Sequence, residues 1–313
     1  MIIRFLLYCL LLSSFAFVHG EEHWRKEERL VCQIARRENV PIVAVFLGGR
    51  ECPWSQKLTE DVIDHPLFLE RMNEEAILWK ITGDHQAKAL EQKYAIAEYP
   101  QIVLLDPNGK EFSRFGYLPL NASEYLEVIF STIEHFQEIC LALEQNENDF
   151  QEAQWIELYQ KAQKLSASYF KQILLNRGLK REKGTFFHLE RYAAALERYK
   201  WKHPELQKLK NELLKKDPRN LFGTYFKAAL LEFQRLKGKS RIEKGLKPLL
   251  EYVQRFKGKD PENLWKAEMA IGEFLLERKS YFEAIEHMKA ALVIAPEEMK
   301  PQIAETLSLI AMY

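Results

Sequence analysis

The chain has 313 residues, 47% of them hydrophobic and 29% charged, with 45 basic and 45 acidic side chains. That length has room for two domains, and the apolar fraction is ordinary for a soluble protein. The balanced charge hides an uneven distribution, roughly −10 over residues 1–150, roughly +14 over 151–258 and roughly −4 beyond. The basic stretch alternates with core aromatics at helical spacing, which reads as a solvated helix face, with docking to an acidic partner, an anionic surface or the acidic N-terminal part of the chain as the alternatives. Nothing in it argues for nucleic acid.

The first twenty residues differ from the rest. Arg4 precedes an apolar run from Phe5 to Val18, and Val18-His19-Gly20 offers cleavage positions. This is the pattern of a secretory signal peptide over residues 1–20, cut before Glu21. An uncleaved anchor is the alternative, but the run falls short of the ~20 residues a membrane span needs. No later segment is apolar enough to cross a bilayer, so the mature chain is expected to be exported, to a bacterial periplasm first and by secretion second. Three cysteines then remain, Cys32, Cys52 and Cys140. An odd number in a disulfide-permissive compartment leaves one thiol free unless it bridges to a partner.

Residues 22–39 read as an amphipathic helix with Trp24, Leu30, Ile34 and Ala35 on its apolar face. Ile42–Leu47 is a buried strand, and Gly48-Gly49 opens a turn. The turn leads to Cys52-Pro53-Trp54-Ser55, which places a thiol at a helix N-terminus, where unpaired amides and the macrodipole favour the thiolate. The helix from about Ser55 to Asn73 should kink near Asp64-His65-Pro66. A second strand over 76–81, a short helix over 86–94 and a strand entered through Tyr99-Pro100 follow. Asp106-Pro107-Asn108-Gly109 is a turn leading to a strand at 111–115, and a helix from about 122 to 143 closes this part. The order α-β-α-β-α-β-β-α predicts a mixed sheet covered by helices on both faces.

From Glu144 onward the strand patterns vanish. Asp217-Pro218-Arg219-Asn220-Leu221-Phe222 recurs 43 residues later as Asp260-Pro261-Glu262-Asn263-Leu264-Trp265. Each copy is expected to start a helix, with Asp as N-cap and Pro at the first helical position. Helix pairs repeating at this period suggest an α-solenoid. The predicted organisation is a leader at 1–20, a mixed-sheet domain at 21–143 and an all-α domain at 144–313.

Four features together make residues from about Arg25 to Leu143 resemble the thioredoxin-like superfamily. They are the strand before Cys52-Pro53-Trp54-Ser55, the segment Thr59–Pro66, the strand Ile77–Ile81, and Tyr94–Pro100 before the Asp-Pro-Asn-Gly hairpin. The resemblance implies a cis proline at Pro100 facing Cys52, with Tyr99 presenting its backbone to a substrate peptide. It implies Cys52 as nucleophile, with Pro53 and Trp54 on the peptide-binding rim. Two departures stand out. Ser55 replaces the family's resolving cysteine and is left to support the thiolate by a hydrogen bond, and Phe46 stands where a buried acid would serve that missing thiol. Glu51 is expected to raise the Cys52 pKa somewhat. Residues 265–298 are similar to a tetratricopeptide repeat, with Gly272, Tyr281, Ala284, Ala291 and Pro296 on the expected spacing. That resemblance implies a face that binds proteins or peptides.

Two functions follow. One is monothiol disulfide chemistry, isomerase- or reductase-like, in which Cys52 forms a mixed disulfide with a thiol- or disulfide-containing protein substrate. Another substrate thiol, or a small thiol such as glutathione, then releases it. The other is a non-catalytic scaffold built from the same two parts. The histidines show no metal-ligand spacing with cysteines or carboxylates, and no glycine loop cradles a phosphate, so neither metal nor cofactor is expected.

Overall fold

The structure, a computed structural model, describes residues 23–49, 51–83, 85–165, 168–238 and 241–310. The predicted leader lies outside the described residues. Among them no helix is long and apolar enough to cross a membrane. The chain divides into two compact units, one running to Asp149 and taking in Glu157–Ile173, the other made of Phe150–Ile156 and the chain from Leu174.

The first unit is built on β1 (Ile42–Leu47), the predicted β-branched run, whose six residues are all buried. It pairs in parallel with β2 (Ile77–Thr82) and antiparallel with β3 (Gln101–Leu105), which pairs antiparallel with β4 (Glu111–Gly116). The strand order is β2-β1-β3-β4. A strand buried along its whole length needs cover on both faces. Helices α1 (Glu28–Glu38) and α4 (His85–Lys93) supply one cover, with Val31, Ala35 and Leu90 packing on Ala44, Phe46 and Trp79. The opposite side carries α3 (Pro66–Glu75) and α5 (Ala122–Glu144), which pack on each other and bury Phe68, Met72, Ile129 and Ile133. Asn121 starts α5 with a reciprocal capping box to Glu124. This is the mixed sheet the pattern of elements predicts.

Two local expectations are corrected. The first helix begins at Glu28, because Arg25 forms a bridge beside Trp79 with bonds to Leu78 O and from Lys80 N. Those bonds cover the outer edge of β2, which would otherwise present unpaired backbone groups. Trp24 is thereby buried and stacks on Phe68 at 6.5 Å. The long helix after Cys52 is three pieces: α2 (Pro53–Leu58), one π-helical stretch (Thr59–Ile63) and α3. The kink falls at the predicted proline, with the His65 ring accepting from the Leu67 amide to cap α3.

Helices α6 (Glu152–Lys164) and α7 (Ser168–Arg181) follow α5 in the chain, and the part of the second unit beyond them forms helix hairpins. Phe186–Arg198 (α8) and Pro204–Lys216 (α9) share a core around Tyr192, Leu196, Leu209 and Leu213. Thr224–Leu236 (α10), Ile242–Phe256 (α11) and Pro261–Glu277 (α12) share another around Phe233, Leu249 and Phe274. The pair α12 and α13 (Tyr281–Ile294) carries the tetratricopeptide-like spacing, and the reason for Gly272 is visible: a Cβ there would lie 2.7 Å from Met288 Cγ and 3.2 Å from Ala284 O. The Asp260 copy of the repeat behaves as predicted, capping α12 with Pro261 in its first turn. The Asp217 copy does not start a helix. Asn220 and Gly223 adopt positive φ, which delays the helix to Thr224, and the Asp217 carboxylate accepts instead from the amides of Leu221 and Phe222.

Candidate functional site

Strand β1 ends at Leu47, and a turn closed by the Cys52 amide on Gly49 O brings the thiol to the N-cap of α2. Pro53 suits the first helical position because its missing N–H would have no partner there. Ser55, one helical turn in, is 3% exposed. Its hydroxyl accepts from the Gly48 amide at 2.9 Å and donates to Cys52 Sγ at 3.3 Å. Because the amide fills an acceptor site of Oγ, the hydroxyl proton is free to point at sulfur. The Ser55 hydroxyl, helped by the amides of Ser55 and Trp54, lowers the Cys52 pKa against the opposing effect of burial. Glu51 does not figure among the groups that move the thiol, contrary to the expectation from its sequence position. Its side chain is exposed, and water screens its charge.

The Tyr99–Pro100 peptide bond is cis, Pro100 is buried, and Tyr99 O lies 3.9 Å from Cys52 Sγ. Burial, together with a hydrogen bond to Glu91, pushes the Tyr99 hydroxyl pKa up to about 12. Trp54 is 55% exposed and leans on Tyr117, with ring centroids 5.0 Å apart. Cys52, Ser55, Pro53, Trp54, Tyr99 and Pro100 therefore occupy one end of the sheet, as the motifs imply. Two participants escaped the sequence reading. Tyr117 follows β4 with no local signal, and the bond that Gly48 gives to Ser55 could be inferred only from the glycine pair.

Phe46, at the position of the missing acid, is fully buried and packs edge-on against Tyr94 at 6.0 Å. An apolar ring thus occupies the place of the acid. The other two thiols are free and lie at the opposite end of the sheet. A Cβ on Gly109, in the β3–β4 turn, would sit 3.5 Å from Cys32 Sγ, and both Cys32 and Cys140 feel the charge of Asp106 in the same turn. Leu105, just before that turn, pairs with the first residue of β1, whereas Cys52 follows the last. A strand of six residues separates the two ends by roughly 20 Å. Burial raises the pKa of Cys32 and pushes that of Cys140 up to about 11, so both are poor nucleophiles. Among the described residues no three His, Cys, Asp or Glu side chains gather as metal ligands would.

The sheet order, the cysteine at the helix start and the cis proline opposite it define a thioredoxin-like fold. Residues 31–129 match the family model of the thioredoxin-like domain, and this segment of the chain is such a domain, followed by a largely helical region. The chain is similar to the thioredoxin-related protein DsbJ of Chlamydia pneumoniae, 26% identical over 303 residues that take in 92% of this chain and 87% of that one. The similarity therefore extends beyond the thioredoxin-like segment. The disulfide bond reductase DsbH of the same organism is 21% identical over 109 residues, covering 32% of this chain and 66% of its own length. Among solved structures, a DsbH oxidoreductase aligns with 39% of this chain and 97% of its own at 16% identity and a TM-score of 0.34.

Proposed function

We propose that the protein is an exported thiol–disulfide oxidoreductase of the monothiol kind, isomerase- or reductase-like, working through Cys52. The observation that carries this reading is the relay from the Gly48 amide to Ser55 Oγ to Cys52 Sγ. A buried hydroxyl held by a backbone amide and aimed at sulfur favours the thiolate, which is the attacking form. The Cys52 thiolate attacks a substrate disulfide; one substrate sulfur bonds to Sγ and the other leaves as a thiolate. A second thiol, from the substrate or a small molecule such as glutathione, then frees Cys52. The exposed Trp54, resting on the half-buried Tyr117, and the Tyr99 backbone fit an extended peptide laid across the site. The thioredoxin-related and disulfide-reductase names of the similar proteins agree with this chemistry. Export rests on the signal-peptide pattern of residues 1–20, and the periplasm is the compartment we assign.

The tetratricopeptide-like region is assigned the recruitment of a protein or peptide partner. A second reading, a non-catalytic scaffold, draws on a cavity of about 560 Å³ in the helical unit, lined by Trp201, Lys202, Lys244 and Lys247 among others. The two are separated by refolding a scrambled-disulfide protein in glutathione buffer with the mature protein and with its Cys52→Ala variant. The enzyme reading expects acceleration that vanishes with Cys52. Equal rates from two folded proteins would leave the scaffold.

A further inference from the structure

Cys52 Sγ is backed by protein. Ser55 Oγ stands 3.3 Å away. A Cβ added to Gly48 would lie 3.2 Å from Sγ and 2.8 Å from Cys52 Cβ, so the Gly48 backbone runs close beside the same side chain and leaves no room for a further side chain between them. Tyr99 O flanks the sulfur at 3.9 Å. A cavity of about 530 Å³ opens along the ends of β1 and β2, lined by Gly48, Ser55, Thr59 and Thr82 among others, with Cys52 not part of its wall. Ser55 is thus the partition between that cavity and the sulfur. Pro53, Trp54 and Tyr99 mark the exposed approach.

Displacement at a disulfide sulfur is in line: the incoming thiolate arrives opposite to the sulfur that leaves. A substrate that reaches Cys52 from the exposed side leaves the new S–S bond pointing outward. The line behind Sγ then runs into Gly48 and Ser55, where a resolving thiol would have to stand. We infer that the adduct on Cys52 is released in one sense only, the incoming thiol attacking the substrate's sulfur and not the Cys52 sulfur, because Ser55 and Gly48 fill the approach to the latter.

The incoming thiolate bonds to the substrate sulfur, the bond between that sulfur and Sγ breaks, and its electron pair leaves on Cys52 Sγ. The Ser55 hydroxyl donates to the departing sulfur as its charge grows. One disulfide is exchanged for another, and Cys52 returns as thiolate. With a substrate thiol as attacker the product is a rearranged disulfide. With a small thiol, the substrate departs carrying that thiol as a mixed disulfide, and no adduct between the small thiol and Cys52 builds up. Ser55 therefore selects disulfide exchange over delivery of a fully reduced substrate.

This rests on Cys52 being the reactive thiol of the proposed function, and the test keeps the two apart. The full-length mature protein is loaded at Cys52 with a peptide thiol through an activated peptide disulfide, with the loaded position verified by peptide mapping. Glutathione is added, samples are acid-quenched at short times, and mass spectrometry counts the products. The expected result is peptide–glutathione disulfide with free Cys52, formed initially at least tenfold faster than Cys52–glutathione. Ser55→Gly opens the partition and should bring the ratio toward one, while Ser55→Ala, which keeps Cβ, should fall between. Cys52–glutathione formed as fast in the wild type, or a ratio unmoved by Ser55→Gly, overturns the inference. Activated disulfides load a thiol whether or not it attacks ordinary ones. The partition is therefore readable even if the protein proves inert toward protein disulfides, a result that would count against the function alone.

Discussion

Replacing Gly48 by alanine tests the geometry of the site in a way that stability and reactivity can both report. The added methyl would fall 2.8 Å from Cys52 Cβ and 3.2 Å from both Cys52 Sγ and Tyr99 Cβ. The first distance is well inside carbon–carbon contact. Neither Cβ is the free end of a flexible chain: one belongs to the N-cap of α2, the other to the residue before cis Pro100. Relief must move backbone or turn the thiol away from Ser55. Overpacking of this kind costs about 1–3 kcal/mol, a fall in melting midpoint of roughly 2–12 °C for a unit of this size. A displaced thiol also loses the Ser55 hydrogen bond, so its pKa should rise. Calorimetry of the full chain reads the first effect, and the pH dependence of Cys52 alkylation reads the second. A variant with unchanged melting and an unchanged alkylation profile would refute the close packing of Gly48, Cys52 and Tyr99.

Three more outcomes follow from particular contacts. Ser55→Cys places a second sulfur where Oγ now stands, 3.3 Å from Sγ; a small shift brings it to bonding distance, and thiol titration after mild oxidation should find two fewer free thiols than in the reduced variant. Cys32→Ser and Cys140→Ser should leave the alkylation and exchange rates of Cys52 unchanged, since both thiols lie at the far end of the sheet. Burial alone would raise the Asp217 pKa, yet hydrogen bonds from the Thr224 hydroxyl and the amides of Phe222, Leu221 and Thr224 hold it below the usual carboxylate range. A pKa depressed in the folded state contributes stability above the unfolded-state value, and that contribution is lost as pH falls through the folded one. The helical unit should therefore weaken progressively below the ordinary carboxylate range in denaturant titrations, and Asp217→Asn should flatten that dependence.

The sheet was legible in the sequence because its signals are local: β1 is a β-branched run, and the Asp106–Gly109 turn carries its own chemistry, with Asp106 Oδ1 accepting from the amides of Asn108 and Lys110. The N-cap position of Cys52 and the kink at Pro66 were legible for the same reason. What could not be read depends on partners distant in sequence. Arg25 leaves the helical pattern because β2 offers it a free edge. Tyr117 meets Trp54 only because β4 delivers it there. The two Asp-Pro repeats look alike by pattern, but backbone conformation at Asn220 and Gly223 decides that one starts a helix and the other does not. The role of Ser55 was half visible: the missing cysteine was evident, whereas the amide of Gly48 that fixes the hydroxyl required the fold.

The central claim, that Cys52 alone forms a stable mixed disulfide, is tested most directly by single-turnover reaction of the protein with an unactivated peptide disulfide, followed by intact-mass measurement. The account predicts one peptide per chain, mapped to Cys52, formed faster as pH rises through the lowered thiol pKa and persisting until an external thiol is added. An adduct that never forms, or one that resolves with no added thiol, would contradict it.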